Sequence, residues 1–200
     1  MFEYDMTLAG TMNSDTRQIA HGLLQRDVAL LHTLVEQYQY RLVRYLIYLL
    51  GRRDLVDDLV QETWLRVLER GGSYDGRCRF EPWLFAIARN LAIDQMRRRQ
   101  VFSLDSNDNA EDGNEPLSPA ASGPSPFEQA ARTKDAQRLA HSLARLQPIY
   151  REALVLRFQE DLSLQEIATV VGASVSTVAS RIYRGLATLR AQLEGGKNAN

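Results

Sequence analysis

The sequence predicts an all-α protein, two small helical domains joined by an acidic flexible linker, on three observations. Apolar residues recur at helical spacing along most of the chain, and no convincing alternation of apolar and polar residues marks a strand. Between Val101 and Ala130 the composition changes sharply: "SLDSNDNAEDGNEPLSPAASGPSP" carries acids, Pro, Ser, Gly and Asn and no base. Such a segment cannot bury enough apolar surface to fold and reads as a linker.

Element by element, the first dozen residues read as a loose extension, with Met1, Met6 and Met12 all open as the start. From Asp27 to about Leu50, Leu30, Leu31, Leu34, Val35, Tyr38, Leu42, Tyr45, Leu46 and Leu49 form one apolar stripe that Gly51 ends. Asp54 then offers an N-cap, with Asp57 in the first turn where a carboxylate meets the positive end of the helix dipole. Val56, Leu59, Val60, Thr63, Val67 and Leu68 share the inner face of that helix, which leaves Asp57, Asp58, Gln61 and Glu62 largely outward. "RGGSYDGR" is a loop by its glycines, and a further helix starts near Pro82. Trp83, Leu84, Ile87, Ala88 and Leu91 give that helix a core face, and three arginines, Arg97 to Arg99, crowd its end.

Beyond the linker, "SPFE" restarts order with Ser125 as N-cap, Pro126 at the first helical position and Glu128 closing a capping box. A second capping box, Ser163 to Glu166, opens a short helix bearing Ile167, Ala168, Val170 and Val171, which Gly172 ends. Ser174 can cap a longer helix with Val175, Val178, Ile182, Leu186 and Leu189 on one face. The expected division is therefore a loose extension over 1–14, a first domain over 15–100, the linker over 101–125, a second domain over 126–194 and a tail over 195–200.

The totals bound the function. In 200 residues a core can be buried without staples, and one cysteine, Cys78, with three scattered histidines assembles neither a disulfide nor a zinc site. No metal or cofactor is expected, and a reducing, cytoplasmic setting is. No stretch approaches the roughly 20 apolar residues of a membrane span. Formal charge is -1, from 24 Lys+Arg against 25 Asp+Glu, so contact with nucleic acid requires the bases to be gathered in place. No nucleophile and base, phosphate-cradling loop or ligand cluster points to an enzyme.

Two groupings carry a mechanism. The pair of helices around Gly172, with small Ala168 where they cross, has the helix-turn-helix pattern. The second helix would turn Ser174, Ser176, Thr177, Ser180, Arg181 and Arg184 outward, groups that bond phosphates or base edges in a major groove. An ordinary helical hairpin with a polar face has the same pattern. In the other grouping, Tyr74, Arg77 and Arg79 in the glycine loop adjoin the arginine end, Arg97 and Arg98; guanidinium groups and a ring together suit single-stranded DNA. A solvated helix end favoured by the dipole would also hold those arginines.

The blocks "DLVDDLVQETWLRVL", "FEPWLFAIARNLAIDQMRRR" and "LSLQEIATVVGASVSTVASRIYRGLATLR", in this order and spacing, resemble regions 2 and 4 of extracytoplasmic-function sigma factors, the two-domain subunits of bacterial transcription initiation. The resemblance covers nearly everything from Asp15 to Leu193. It implies binding to core RNA polymerase, direction of the polymerase to promoter DNA and help in opening the duplex. Asp58, Gln61 and Glu62, with Asp57 beside them, match the family's docking surface for a coiled coil of the polymerase. Ser73 to Arg79, Asn90 and the arginine end match the part that reads the downstream element on the melted strand, where a flipped base would sit between the loop and Asn90. The reader helix would take the upstream element as duplex. There Ser176 replaces a usual glycine, Ala179 stands where the family commonly has a base, and Leu186 where it often has arginine, which implies weaker contact. An anti-sigma factor is a possible further partner, and the linker is implied to thread a polymerase channel. The competing reading is a ligand-responsive or dimeric regulator with a C-terminal helix-turn-helix; it explains 126–193 equally well but not the acidic helix, basic loop and arginine end together.

Overall fold

The structure is a computed structural model and describes residues 5–105 and 136–195. Among these residues helices α1 (Asp5–Gln25), α2 (Val28–Leu50), α3 (Val56–Arg70), α4 (Phe80–Asp105), α5 (136–144), α6 (Pro148–Phe158), α7 (Leu164–Val171) and α8 (Val175–Gly195) follow one another, with a single 3-10 turn at Gly71–Ser73 and no strand.

The amphipathic stripe predicted from Asp27 becomes α2 with both its ends as expected. The Asp27 carboxylate accepts from the Ala29 and Leu30 amides, and Gly51, at φ 71°, supplies the left-handed residue that stops the helix. Leu34, Tyr38, Leu42, Tyr45, Leu46 and Leu49 are buried against α3 and α4. Tyr45 meets Phe85, and Tyr38 meets Phe80, edge to face at 5.1 and 5.4 Å between ring centroids, the geometry that ring quadrupoles favour. Thr63 lies on the inner face of α3 as predicted, and its hydroxyl donates to the Leu59 carbonyl at 2.6 Å, which removes the penalty of burying it.

Several expectations are corrected. The segment read as a loose extension is helical from Asp5, and α1 packs on the 3-10 turn. Asp54 does not cap α3: Leu55 holds the cap position without a side-chain bond, and the Asp54 carboxylate is drawn instead to Arg52 at 2.6 and 2.8 Å. Leu68 and Leu186, placed on inner faces by periodicity, are exposed. The helix expected near Pro82 begins at Phe80 and continues through 101–105, residues that composition assigned to the linker. The capping residues Ser125 to Glu128 lie outside the described residues.

The C-terminal half stacks α6 on α8 and α7 on α8. Its two halves of the helix-turn-helix form as the sequence predicts: Ser163 and Glu166 exchange both capping-box bonds, Gly172 turns at φ 64°, and the Ser174 hydroxyl accepts from the Thr177 amide. Gly185 lets α8 approach α6 closely, since a Cβ there would sit 3.2 Å from the Leu154 side chain. Helix α6 is buried from Arg151 to Leu156 without a polar face, because α8 covers one side and α2 the other. The N- and C-terminal halves thus share one continuous hydrophobic core, in which Ile167, Val170 and Val171 of α7 join Leu84 and Ala88 of α4.

Candidate nucleic-acid and protein interfaces

The outer face of α3 carries the predicted acids. Asp57, Asp58 and Gln61 are exposed; Glu62 is half-buried and binds Arg66 at 3.0 Å. Asp58 and Glu62 line a groove of about 370 Å³ whose other wall is α4, through Leu91, Asp94, Gln95 and Arg98. The groove brings two separately predicted sets together, the acids of α3 and the arginine end of α4. Asp94, Gln95 and Arg66 were missed in the sequence, where nothing distinguishes them from solvated helix positions.

The loop after α3 is tightly built. Ser73 donates its hydroxyl to the Arg70 carbonyl at 2.7 Å, the Asp75 carboxylate accepts from the Arg77 amide at 3.0 Å, and Gly76 adopts φ 67°. A Cβ on Gly76 would lie 2.8 Å from the Thr16 carbonyl oxygen, so α1 can close on the loop only over a glycine. Tyr74 departs from the expectation of an accessible ring. It is 3% exposed, packs on Phe80 and Trp83, and donates its hydroxyl to the Cys78 carbonyl at 2.6 Å. Burial raises its pKa well above the usual phenol value. Tyr74 therefore shapes the loop from within. Arg77, Asn90, Arg97 and Arg98 are exposed. Arg79 is half-buried and engaged: it binds Glu81 at 3.1 Å and the Asp161 carbonyl at 3.3 Å and lies 3.8 Å from Glu166, both of the latter from the C-terminal half.

The face of α8 expected to read DNA is open. Ser174, Ser176, Thr177, Ser180 and Arg184 are exposed and Arg181 is half-buried. The Ser174 hydroxyl shares hydrogen bonds with those of Ser176 and Thr177 at 3.0 and 2.8 Å, so the three act as one polar tip at the helix start. Tyr183, 77% exposed, was missed. It stands off the Val178, Ile182, Leu189 stripe and seven residues beyond Ser176, on that serine's face, a position a helical count could have singled out.

The chain carries a helix-turn-helix, a groove lined by both acids and arginines and a loop bearing arginines, and comparison with known proteins places it among transcription factors of the sigma-70 type. The family model for Sigma-70 region 2 matches residues 34–101 and that for Sigma-70, region 4 matches residues 136–189. The chain is 30% identical over 162 residues to the ECF RNA polymerase sigma factor SigW of Bacillus subtilis, covering 80% of this chain and 87% of that one. It is 32% identical over 157 residues to the RNA polymerase sigma factor CarQ of Myxococcus xanthus, covering 78% and 85%. The chain belongs to the extracytoplasmic-function RNA polymerase sigma factors. Among solved structures it is similar to the sigma factor RpoE of Bartonella quintana, in complex with the anti-sigma factor NepR, at a TM-score of 0.65 and 25% identity, over 82% of this chain and 96% of that one. CnrH, in complex with the cytosolic domain of CnrY, is similar at a TM-score of 0.64 and 26% identity, over 90% and 97%.

Proposed function

We propose that this chain binds core RNA polymerase, recognises two promoter elements and promotes DNA opening. The observation that carries the reading is the ordered pair of region matches, 34–101 and 136–189, each holding a surface of suitable chemistry. Asp57, Asp58, Gln61 and Glu62, on the outer face of α3, are the polymerase-binding set. Ser73, Arg77, Arg79, Asn90, Arg97 and Arg98 hold the melted strand, and Tyr74 keeps their loop in shape. Ser174, Ser176, Thr177, Ser180, Arg181 and Arg184 take the upstream duplex. A region 2 match accounts for the N-terminal half, which a ligand-sensing bundle leaves without a reason for its acids and bases. The chain acts as a binding subunit and not as an enzyme. The similar sigma factor solved with the anti-sigma factor NepR supports an anti-sigma protein as a further partner.

Transcription from a random-promoter library with purified core polymerase tests the reading: transcripts that require this chain, with start sites enriched for two elements, are expected, and duplex binding without dependent transcripts overturns it. Asp58→Arg with Glu62→Arg abolishes co-purification with core polymerase at unchanged helical content, since it reverses charge on one wall of the groove; retained binding removes these residues from the docking surface.

A further inference from the structure

The contact between the two halves is built from charge as well as apolar surface. Glu160 is buried, yet its carboxylate accepts from Arg41 Nε at 2.8 Å and Arg44 Nη2 at 2.9 Å. Glu152, also buried, accepts from Arg89 Nε at 2.7 Å and from the Tyr45 hydroxyl at 2.9 Å. All four donors belong to α2 and α4, and both carboxylates belong to the segment at α6. Seen from the N-terminal half alone, Arg41, Arg44 and Arg89 are gathered bases, and Arg89 is the chain neighbour of Asn90. Within its own half, Arg41 has a longer contact to Glu81 at 3.6 Å.

Three observations set this face apart from an ordinary ion-pair seam. Arg44 Nε is buried with no partner, so the carboxylates leave part of its fork unused. The Arg44 guanidinium lies 5.7 Å from the Tyr40 ring centroid, and that ring is 59% exposed; Arg41 lies 5.1 Å from the Tyr38 ring centroid. Arginines interleaved with an exposed ring are the composition of a single-strand surface, where guanidinium groups track phosphates and rings stack bases. The face is also continuous with the loop through Arg79, which the C-terminal half covers in the same way.

We propose that Arg41, Arg44 and Arg89, with Tyr40, form a second stretch of single-stranded DNA site, which Glu152 and Glu160 cover in this closed arrangement by standing where phosphates would bind. The inference rests on the sigma-factor reading for the presence of a melted strand. It makes closure and strand binding mutually exclusive: the strand and the carboxylates compete for the same guanidinium groups, so binding requires the open population.

Substitutions that break the same ion pairs from opposite sides separate a DNA face from a mere clasp. The probe is a fluorescein-labelled oligothymidylate of about 12 nucleotides, titrated with the full chain by anisotropy across a range of salt. Glu152→Gln with Glu160→Gln uncovers the face and tightens binding about 10-fold; Arg41→Ala with Arg44→Ala opens the chain too but weakens binding about 10-fold and lowers the salt slope by about 1.4, near 0.7 for each phosphate contact. A clasp alone predicts that both pairs move binding in the same direction or leave it unmoved, and either result overturns the proposal. Should the alanine pair lose helical content, Arg41→Lys with Arg44→Lys retains the salt slope and Tyr40→Ala weakens binding without altering it; the reverse pattern overturns the proposal equally. Run-off transcription with core polymerase on the wild-type chain reports separately on the sigma-factor reading, which stands if transcripts persist while the oligothymidylate arms fail.

Discussion

Glu81 ties together more of the molecule than its place at the start of α4 suggests. It accepts from Arg79 at 3.1 Å and lies 3.6 Å from Arg41. Burial alone would raise its pKa, but a backbone amide and the two arginines outweigh this and hold it below the usual glutamate value. Burial, with the same carboxylate beside it, pushes the Tyr38 phenol up to about 12. Because the folded chain holds a Glu81 proton less readily than the unfolded chain, the stabilisation is full above the ordinary glutamate range and is lost as pH falls through the lower folded value. Glu81→Gln therefore flattens the acid limb of stability, read from urea midpoints at stepped pH; an unchanged limb would show that the arginines do not depend on it. Single residues were where the sequence was hardest to read. Nothing local shows that Arg52 draws Asp54 from the cap, or that Tyr74 turns inward onto Phe80 and Trp83, because both outcomes are decided by neighbours brought up by the loop.

Elements with a strong apolar stripe and their own caps were legible. Helices α2 and α7 begin and end, and α8 begins, at residues whose chemistry marks ends: Asp27, Gly51, Ser163, Gly172 and Ser174. Helix α7 is so short that its cap matters unusually, and Ser163→Ala costs about 1 kcal/mol, seen as a lower melting temperature; no change would mean that packing alone fixes its start. On α8, Ala179 is half-buried beside exposed Ser180, at the rim of the open face. Ala179→Lys tightens binding to the upstream element by adding a phosphate contact, with a steeper salt slope; a footprint that does not strengthen places this position away from DNA. Helix α1 escaped the sequence reading because its first turns, "DMTLAGTMNSDT", carry no apolar stripe of helical period.

The molecule as a whole was the least legible scale. Its two halves were visible in composition, but the surface joining them was not: nothing in the sequence marks Arg41, Arg44, Arg89, Glu152 and Glu160, which only distant helices bring into pairs. One shared core predicts one cooperative thermal transition by calorimetry, since neither half keeps its apolar face covered alone. Two resolved transitions would separate the halves. Tyr45→Phe, which removes a hydroxyl bridge at 2.9 Å while keeping the ring, lowers the stability of that single transition by about 1–3 kcal/mol.

Helix α6 touches α8 with Tyr150 and Leu154 at Gly185, and α2 with Glu152 at Tyr45. A segment gripped on both sides has little freedom to drift. A change that tilts α8 therefore also disturbs the contact of α6 with α2, so the outward face of α8 and the seam between the halves are mechanically joined through one helix.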